Sequence, residues 1–405
     1  MQTGNQLQYS ITNNMNNSLK YPNQNYHYDF SLLPEYIEKL FSKLRIAVIY
    51  GGDKTALNSV IYQTHNTRSW KSYKIVAAEI QDTLKKLGFQ QVFLIPEDMN
   101  LPENLQKNNI HLAWLNTGGV QGYNPVCHGA AILEMLGIPY VGHNPLYSSI
   151  LDNKHIFKRE LLAIQVKTAT FFTWHPYPQG KFNPTDSNFQ AAFGDYSGPF
   201  IVKPVSGRAS LHVYLVDRVT DLPDIMECVY QATDNMVLVE KYLPGREFCV
   251  AVGGYVTCIG GKLYKKNQPF AFSALERIFE PGERIFTSMD QKPISGDRAK
   301  LITEAELKLK QDLLQLSQKV YTHLGLQSLI RIDIRTDNDG ILSVLEANPK
   351  PDLKRPQPGI SSLVALGLDE YKMSYEDLII SIFADRLDYL FSRIPKNIDH
   401  IFALL

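Results

Sequence analysis

The sequence predicts a protein of α/β and α+β class with three domains, the first of which is a parallel α/β domain. Apolar strands alternate with amphipathic helices over residues 44–145, and shorter mixed elements follow to about residue 255. A long helix and a charged hairpin occupy the C-terminal part. The chain has 405 residues, 44% of them apolar, which is enough for two or three domains with their own cores.

A polar extension, residues 1–43, precedes the first domain. Residues 1–30 are rich in Asn, Gln and Tyr and show neither a helical nor a strand period. We therefore expect a mobile tail or a partly docked extension.

The N-terminal domain, residues 44–145, contains apolar strands at 46–50, 91–95 and 111–115, and the segment 69–89 predicts a helix with one apolar face. In a parallel sheet the ligand crevice lies at the carboxyl ends of the strands. Here these ends are rich in glycine and small polar residues, although ordinary strand-to-helix turns would look similar.

A small central α+β unit is predicted over residues 146–255, followed by a C-terminal domain over 256–405. Residues 262–297 lack a regular pattern, as expected of a long loop that acts as a lid. An amphipathic helix is predicted over 299–323, and Ser374 with Asp377 forms a capping box at the start of a late helix.

Charge and hydropathy exclude several classes of function. The formal net charge is zero and the isoelectric point is near 7.1, so no general attraction to nucleic acid or to an acidic membrane is expected. The sequence has no apolar run of 18 residues and no basic leader followed by an apolar stretch. We therefore expect no transmembrane helix, no signal peptide and a cytoplasmic protein.

The most informative segment is RIDIRTDNDGILSVLEANP, residues 331–349. Asp339-Gly340 predicts a two-residue hairpin loop between two strands. With that loop, Asp333 stands directly opposite Glu346.

The same register pairs Arg331 with Asn348, so all four polar side chains project from one face. Leu342 and Val344 would share that face. A solvated surface hairpin would carry similar charges, but the apolar residues favour a buried strand that emerges into a cleft.

This face predicts a metal site. Carboxylates directly opposite each other repel, so a positive group should lie between them. Carboxylate and amide oxygens suit Mg²⁺, which makes Asp333, Glu346 and Asn348 candidate ligands. Arg331 would bind a phosphate or a developing oxyanion.

Upstream segments predict a nucleotide site. Lys203 lies late in an apolar strand, where a phosphate would suit it, and the loop SGRAS that follows can cover phosphates with amides and hydroxyls. Lys154 would supply a second cation, although a solvated helix lysine is equally compatible. The backbone from residue 240 to 243 would contact a purine edge, and Glu247 would accept hydrogen bonds from ribose hydroxyls.

In this order the segments resemble the ATP-grasp superfamily and, within it, the D-alanine–D-alanine ligase family. The similarity covers about residues 44–390 and is carried by LEMLGIPYVG, LDNKHIFK, FIVKPV, VLVEKYLPGREF and RIDI with LEAN. It implies an ATP-grasp fold of three domains, with ATP between a central lid domain and the C-terminal domain, and a homodimer.

The resemblance also implies roles for individual residues. Arg277 matches a basic loop residue that touches the γ-phosphate, with a surface salt bridge as the alternative. By this similarity the ATP-binding residues are Lys154, Lys203, Ser210, Glu240, Leu243, Glu247 and Arg277, the ligands of two Mg²⁺ ions are Asp333, Glu346 and Asn348, and the arginine that stabilises the tetrahedral intermediate is Arg331.

The substrate positions depart from the family pattern. NTGGVQGYNPVCHG replaces the motif His-Gly-x-x-Gly-Glu-Asp-Gly and has no paired acid, the Glu-x-x-Ser motif after the first strand is missing, and Pro351-Asp352 replaces Pro-Gly. Arg208 and His212 stand where the family's phosphate loop has glycine. The predicted substrate residues are Asn116, Thr117, Gly118, Gly119, Gln121, Tyr123, Lys350 and Asp352.

The function predicted from these residues is that of an ATP- and Mg²⁺-dependent ligase that phosphorylates an acceptor oxygen and joins an amino-acid amine to it. The neutral residues of segment 116–124 suit a polar ring, such as the cyclohexenone of a mycosporine. A D-alanine–D-alanine ligase is the ordinary alternative. A phosphotransferase and a nucleotide-binding regulator without turnover are further alternatives, and the intact charged hairpin argues against the regulator.

Overall fold

The computed structural model describes residues 28–65, 68–285, 298–357 and 362–405. The predicted mobile tail therefore lies almost entirely outside the described residues. None of the helices in the described part of the chain combines the length and the apolar character that crossing a bilayer requires.

The start of the described chain is docked. Helix α1 (Leu33–Leu40), which the sequence analysis did not predict, buries Leu33, Ile37 and Leu40. The ring of Tyr28 lies 5.4 Å from that of Phe391, and its hydroxyl donates to Asp388 at 2.8 Å. Both partners belong to the long C-terminal helix, so residues 28–40 are part of the packed structure.

The N-terminal sheet confirms the predicted parallel α/β domain. Its strand order is β2-β1-β3-β4 and every pair is parallel. The short helix α3 was missed because it spans only seven residues and begins with Leu-Pro. The elements are β1 (Arg45–Gly51), α2 (Lys74–Lys86), β2 (Gln91–Glu97), α3 (Leu101–Lys107), β3 (Leu112–Asn116), α4 (His128–Leu136) and β4 (Tyr140–Val141).

The central part contains an antiparallel sheet of order β5-β8-β6-β7. Its core is aromatic, with Phe189, Phe193 and Phe200 packed edge to face or tilted. The elements are α5 (Pro145–Asp152), α6 (Lys154–Ala163), β5 (Phe171–Trp174), α7 (Pro176–Gln179), α8 (Ser187–Phe193), β6 (Phe200–Pro204), β7 (Tyr214–Val216), α9 (Leu222–Thr233) and β8 (Val237–Lys241).

The C-terminal sheet is antiparallel, of order β13-β12-β9-β14-β15, with a separate hairpin formed by β10 and β11. The three-domain division stays a prediction, and β9 pairs with strands of this last sheet. The elements are β9 (Glu247–Val252), β10 (Val256–Ile259), β11 (Lys262–Lys265), β12 (Ala271–Arg277), β13 (Ala299–Leu301), α10 (Leu307–His323), β14 (Ile330–Thr336), β15 (Leu342–Asn348), α11 (Tyr375–Arg393) and α12 (Asp399–Phe402).

Two expectations for this part were wrong. The predicted irregular segment 262–297 contains β11 and β12, because Gly and Pro at its turns hid two short strands; residues 286–297 lie outside the described residues. The helix predicted from residue 299 begins at Leu307, after a strand that pairs with β12. The capping box of Ser374 and Asp377 is confirmed.

Helix α11 holds the N-terminal and C-terminal sheets together. Phe383 and Leu387 of this helix and Leu112 of β3 are fully buried in one apolar cluster. Each such side chain contributes roughly 1.5–3 kcal/mol by leaving water. The same cluster contains Phe272 of β12, so it joins side chains of both sheets.

Candidate active site

The β14–β15 hairpin has the predicted register at its polar end. Asp333 pairs with Glu346, and Arg331 pairs with Asn348. The predicted two-residue loop is wrong, because pairing ends at Thr336 and Leu342 and five residues connect the strands.

A β-bulge at Leu345 reconciles the longer loop with the register. Asp333 pairs with Glu346 but Ile334 pairs with Val344, so Leu345 is the extra residue. Val344 consequently lies in the apolar core and not on the polar face where the alternation had placed it. Leu345 instead lines the cavity beside Glu346.

Two arginines supply the positive charge expected between the carboxylates. Arg331 donates to both oxygens of Asp333 at 2.9 and 3.0 Å, and Arg277 donates to one of them at 3.1 Å. Burial opposes the charge on the two guanidinium groups, but Asp333 outweighs it and raises the pKa of both above the usual value. Arg277 also donates to Glu247 at 2.9 Å, so it is a buried link between two predicted sites and not a surface salt bridge.

The remaining oxygen donors of the predicted metal site lie on the same face. Lys154 lies 3.4 Å from Glu346. Burial opposes ionisation of Glu346, but Lys154 and Lys203 outweigh it and lower its pKa to about 2. Asn348 Oδ1 accepts from the backbone N–H of Lys350 at 3.0 Å.

The donor set fits Mg²⁺. No group of three His, Cys, Asp or Glu side chains in the described ranges is arranged to hold a metal ion. The predicted set has only two carboxylates, Asp333 and Glu346, with the amide of Asn348. This agrees with the preference of Mg²⁺ for one or two carboxylates, completed by water and phosphate oxygens.

A cavity of about 110 Å³ brings the predicted ATP-binding residues together between β6, β8, β9 and the hairpin. All seven line its wall, as do the paired acids of the hairpin. Arg335, which sequence reasoning missed, also lines it and donates to Glu247 at 3.2 Å. The predicted residues in the wall are Lys154, Lys203, Ser210, Glu240, Leu243, Glu247, Arg277, Asp333 and Glu346.

The Glu240 carboxylate lies between two buried lysines. Lys203 and Lys158 each approach it to 2.7 Å. Burial opposes ionisation of Glu240, but the two lysines hold its pKa below the usual value. Lys158, which sequence reasoning missed, follows Lys154 by one helical turn in α6, and this spacing was the available signal.

The predicted phosphate loop after β6 has left-handed backbone at residues other than glycine. Ala209, Ser210 and His212 have φ values of +54°, +55° and +57°. The sequence analysis placed Arg208 and His212 at glycine positions of the family's loop. His212 has the left-handed backbone that glycine favours, whereas Arg208 is not among the residues with positive φ. Each such residue costs about 1–2 kcal/mol relative to right-handed backbone.

A second cavity, of about 520 Å³, adjoins the first and shares Lys154 and Glu346 with it. Arg331 and Asn348 line this cavity, and so do the predicted substrate residues Lys350 and Asp352.

The other predicted substrate residues do not line either cavity. Asn116 Nδ2 donates to the backbone oxygen of Tyr73 at 3.1 Å. The Thr117 hydroxyl donates to Glu97, and the N–H of Gly119 donates back to Thr117 Oγ1 at 3.0 Å. Asn116 therefore supports Tyr73 of the cavity wall from behind, whereas Thr117 and Gly119 bond to Glu97 and to each other.

Gln121 and Tyr123 lie farther out. Gln121 donates to the backbone oxygen of Tyr62 at 2.9 Å and accepts from the N–H of Thr64 at 2.9 Å. Tyr123 is 72% exposed. Both therefore belong to a surface loop.

The cavity wall contains basic residues that sequence reasoning did not select. Lys71 and Lys74 were placed in the helix predicted over residues 69–89, which in the structure begins only at Lys74, and Arg68 was not selected. The available signal was the run of three basic residues, Arg68, Lys71 and Lys74, just before Val76, the first buried residue of the helix. The unselected basic residues in the wall are Arg68, Lys71, Lys74, Arg208 and Lys354.

Solved structures with the same fold define the class. A D-alanine–D-alanine ligase from Bacillus anthracis, complexed with ATP, superposes with a TM-score of 0.58 at 21% identity, covering 85% of this chain and 97% of that chain. The VanG D-Ala:D-Ser ligase from Enterococcus faecalis superposes with a TM-score of 0.59 at 14% identity, covering 85% and 99%. The fold is therefore the ATP-grasp fold.

Sequence comparison gives the family. Residues 168–384, more than half of the chain, match the family D-ala D-ala ligase C-terminus. A D-alanine–D-alanine ligase from Gloeobacter violaceus is 27% identical over 313 residues, 76% of this chain and 92% of the relative. One from Pseudomonas putida strain GB-1 is 25% identical over 342 residues, 84% and 92%. The chain belongs to the D-alanine–D-alanine ligase family, a class of ATP-dependent ligases.

Proposed function

We propose that the protein is an ADP-forming ligase that phosphorylates an acceptor oxygen with ATP and joins an amino-acid amine to the activated acceptor. The observation that carries this proposal is the junction of the two cavities. Lys154 and Glu346 line both, so a phosphoryl donor in one cavity would meet an acceptor in the other without leaving the protein. The proposed division of the chain into an N-terminal substrate domain, a central lid and a C-terminal metal domain is consistent with this junction.

Nucleotide binding would use the smaller cavity. Lys154 and Lys203 would bind phosphate oxygens, and Ser210 would donate from the loop above them. Glu240 would act through its backbone at the adenine edge, because its carboxylate is held between Lys158 and Lys203.

The metal site would be formed by Asp333, Glu346 and Asn348, for one or two Mg²⁺ ions. Mg²⁺ bound there would neutralise phosphate charge during transfer. The low pKa of Glu346 keeps this donor ionised at neutral pH.

Arg331 would stabilise the oxyanion of the tetrahedral intermediate, since it lines the acceptor cavity and is fixed by two hydrogen bonds to Asp333. The γ-phosphoryl group moves from ATP to the acceptor oxygen and ADP is formed. The amine nitrogen then bonds to the acceptor carbon, the carbon–oxygen bond to phosphate breaks, and the amine loses a proton. No side chain has to form a covalent intermediate; positioning and electrostatics suffice.

The first candidate substrate pair is two molecules of D-alanine, which the family and the names of the relatives favour. The second is an acceptor other than D-alanine, such as the cyclohexenone ring of a mycosporine. Asp152 and Glu346 in the wall already pair with Arg68 and Lys154, which leaves Asp352 as the acid for the ammonium group of an amino-acid acceptor. This arrangement favours an acceptor without an ammonium group.

The test compares the two candidates by mass spectrometry. Purified protein, ATP and Mg²⁺ are incubated with D-alanine labelled with ¹⁸O in its carboxylate, or with mycosporine-glycine and serine or threonine. A D-alanine ligase forms the dipeptide and phosphate that carries one ¹⁸O. Formation of the dipeptide without any product from mycosporine-glycine would reject the second candidate. Formation of a product from mycosporine-glycine without any dipeptide would reject the first. We further propose that the protein is a cytoplasmic homodimer. Light scattering after size-exclusion chromatography measures the mass of the particle and so tests the dimer.

A further inference from the structure

The larger cavity has a surplus of positive charge. Eight basic but only three acidic side chains line it. D-Alanine carries one carboxylate and one ammonium group, so it would add no net negative charge to this wall. The basic residues are Arg68, Lys71, Lys74, Lys154, Arg208, Arg331, Lys350 and Lys354, and the acidic residues are Asp152, Glu346 and Asp352.

Lys350 is the clearest sign of an anion site. Its Nζ lies 3.2 Å from the centroid of the Tyr73 ring. Within the part of the chain that the structure describes, no carboxylate forms an ion pair with it, although Asp352 adds a favourable charge interaction. A ring face compensates a partly buried ammonium group less fully than an ion pair does, so an anion in the cavity would bind to it favourably.

The Tyr73 ring is held in place by its backbone. Tyr73 has a φ of +56°, a left-handed conformation that costs about 1–2 kcal/mol in a residue with a side chain. Asn116 donates to its backbone oxygen at 3.1 Å, and helix α2 begins at the next residue. The ring is therefore a fixed support for the Lys350 ammonium group.

Arg68 is oriented toward the same cavity. Its Nε donates to Asp152 at 2.8 Å, and Asp152 accepts in addition from Ser206. Its Nη1 lies so close to Gly118 that a Cβ on that residue would approach it to 2.8 Å. The absence of a side chain at Gly118 therefore leaves space for the Arg68 guanidinium group.

The central domain contributes Arg208 to the same wall. Its Nε donates to the backbone oxygen of Ser69 at 3.0 Å, next to Arg68. The cationic wall is therefore assembled from the N-terminal segment 68–74, the phosphate loop and the segment after β15.

We propose that Arg68, Tyr73 and Lys350 form a subsite for a second oxyanion, a carboxylate or a phosphate, so that the substrate beside the ATP site carries two negative groups. One negative group would face Arg331, and the second would contact Lys350. That the bound anion belongs to a substrate rests on the proposed ligase function. The subsite itself can be tested by anion binding alone.

The test is calorimetric titration of the full chain, with and without saturating Mg²⁺ and a non-hydrolysable ATP analogue. The probes are glutarate with two carboxylates, butyrate with one, and inorganic phosphate. We expect glutarate or phosphate to bind about tenfold more tightly than butyrate, which is about 1.4 kcal/mol. Preference for glutarate identifies a carboxylate subsite, and preference for phosphate identifies a phosphate subsite.

Variants locate the binding. Lys350→Met should lower the affinity for the preferred probe about tenfold to the butyrate level, and Lys350→Arg should retain most of it. Lys308→Met removes the same charge from a side chain that is 85% exposed and should change nothing. Thermal melting of each variant checks that it is folded.

Equal affinities for all three probes would overturn the subsite, and so would an unchanged affinity in folded Lys350→Met. If the ATP analogue abolishes the binding of both glutarate and phosphate, the basic side chains belong to the ATP site, and the proposed subsite is overturned. Failure of the analogue to bind would instead count against the ligase function and leave the probe comparison intact.

Discussion

Asp333 lies directly opposite Glu346, and the two carboxylates face each other within a shell of cations. Arg331 and Arg277 hold Asp333, and Lys154 faces Glu346. In water such a carboxylate pair would repel. Here the surrounding charges keep Glu346 ionised, which is the state that a metal ligand requires.

Arg331→Lys should lower kcat about 10²–10³-fold with little change in the KM for ATP. Lysine keeps a positive charge but cannot form the two parallel hydrogen bonds to Asp333. The assay is ADP release under turnover conditions. Arg218 makes a similar two-bond contact with Asp221 on the surface, and Arg218→Lys should leave both constants unchanged. Equal kcat values in the two variants would contradict the assigned role of Arg331.

Lys158→Met should destabilise the protein by about 3 kcal/mol, measured by urea unfolding. The substitution leaves Glu240 buried with only Lys203 as its partner. Lys39→Met, in an exposed pair with Glu35, is the matched control and should leave the unfolding midpoint in place. A midpoint in Lys158→Met equal to that of the control would show that the buried triad is not stabilising.

Glu97→Gln should change the pH dependence of stability. Burial raises the pKa of Glu97 to about 7 from an ordinary value of 4.5. Because the folded state prefers the protonated acid, the native protein loses stability as the pH rises from about 4.5 through 7. The variant should match the native protein at pH 4 and be up to about 3 kcal/mol more stable at pH 8. An equal difference in unfolding free energy between the variant and the native protein at pH 4 and at pH 8, measured by urea unfolding, would contradict this.

Gly118→Ala should raise the KM for the acceptor several-fold with little change in melting temperature. The added Cβ would lie 2.8 Å from Arg68 Nη1, the far end of a flexible side chain, which can move away at small cost. Gly137→Ala is a useful contrast, since no atom lies within 4 Å of its Cβ although its φ is +70°. That variant should lose some stability and keep the KM.

The sequence predicted most of the charged residues that line the smaller cavity, because these residues follow strands in a fixed order. Lys203, Glu240 and Glu247 lie at strand ends or starts, where period and position determine their direction. The predicted hairpin register is also correct at the polar end. It is correct because the bulge at Leu345 offsets the shift in register that the longer loop introduces.

The wall of the larger cavity was less predictable because it depends on contacts between distant segments. Tyr73 and Lys350 are far apart in the chain, and no local pattern contains the information that their side chains meet. Residues 116–119 were selected from their place after β3, yet they do not line either cavity. Asn116, for example, supports Tyr73.

The most direct test of the central claim is a product screen with ATP, Mg²⁺, pooled amino acids and candidate acceptors. The account predicts ADP, phosphate and a condensation product in equal amounts, and none of them from Asp333→Asn. A stable phosphorylated compound without amine incorporation would indicate a phosphotransferase. Absence of ADP in every pool, with ATP still bound, would indicate a regulator; either result would contradict the proposed ligase.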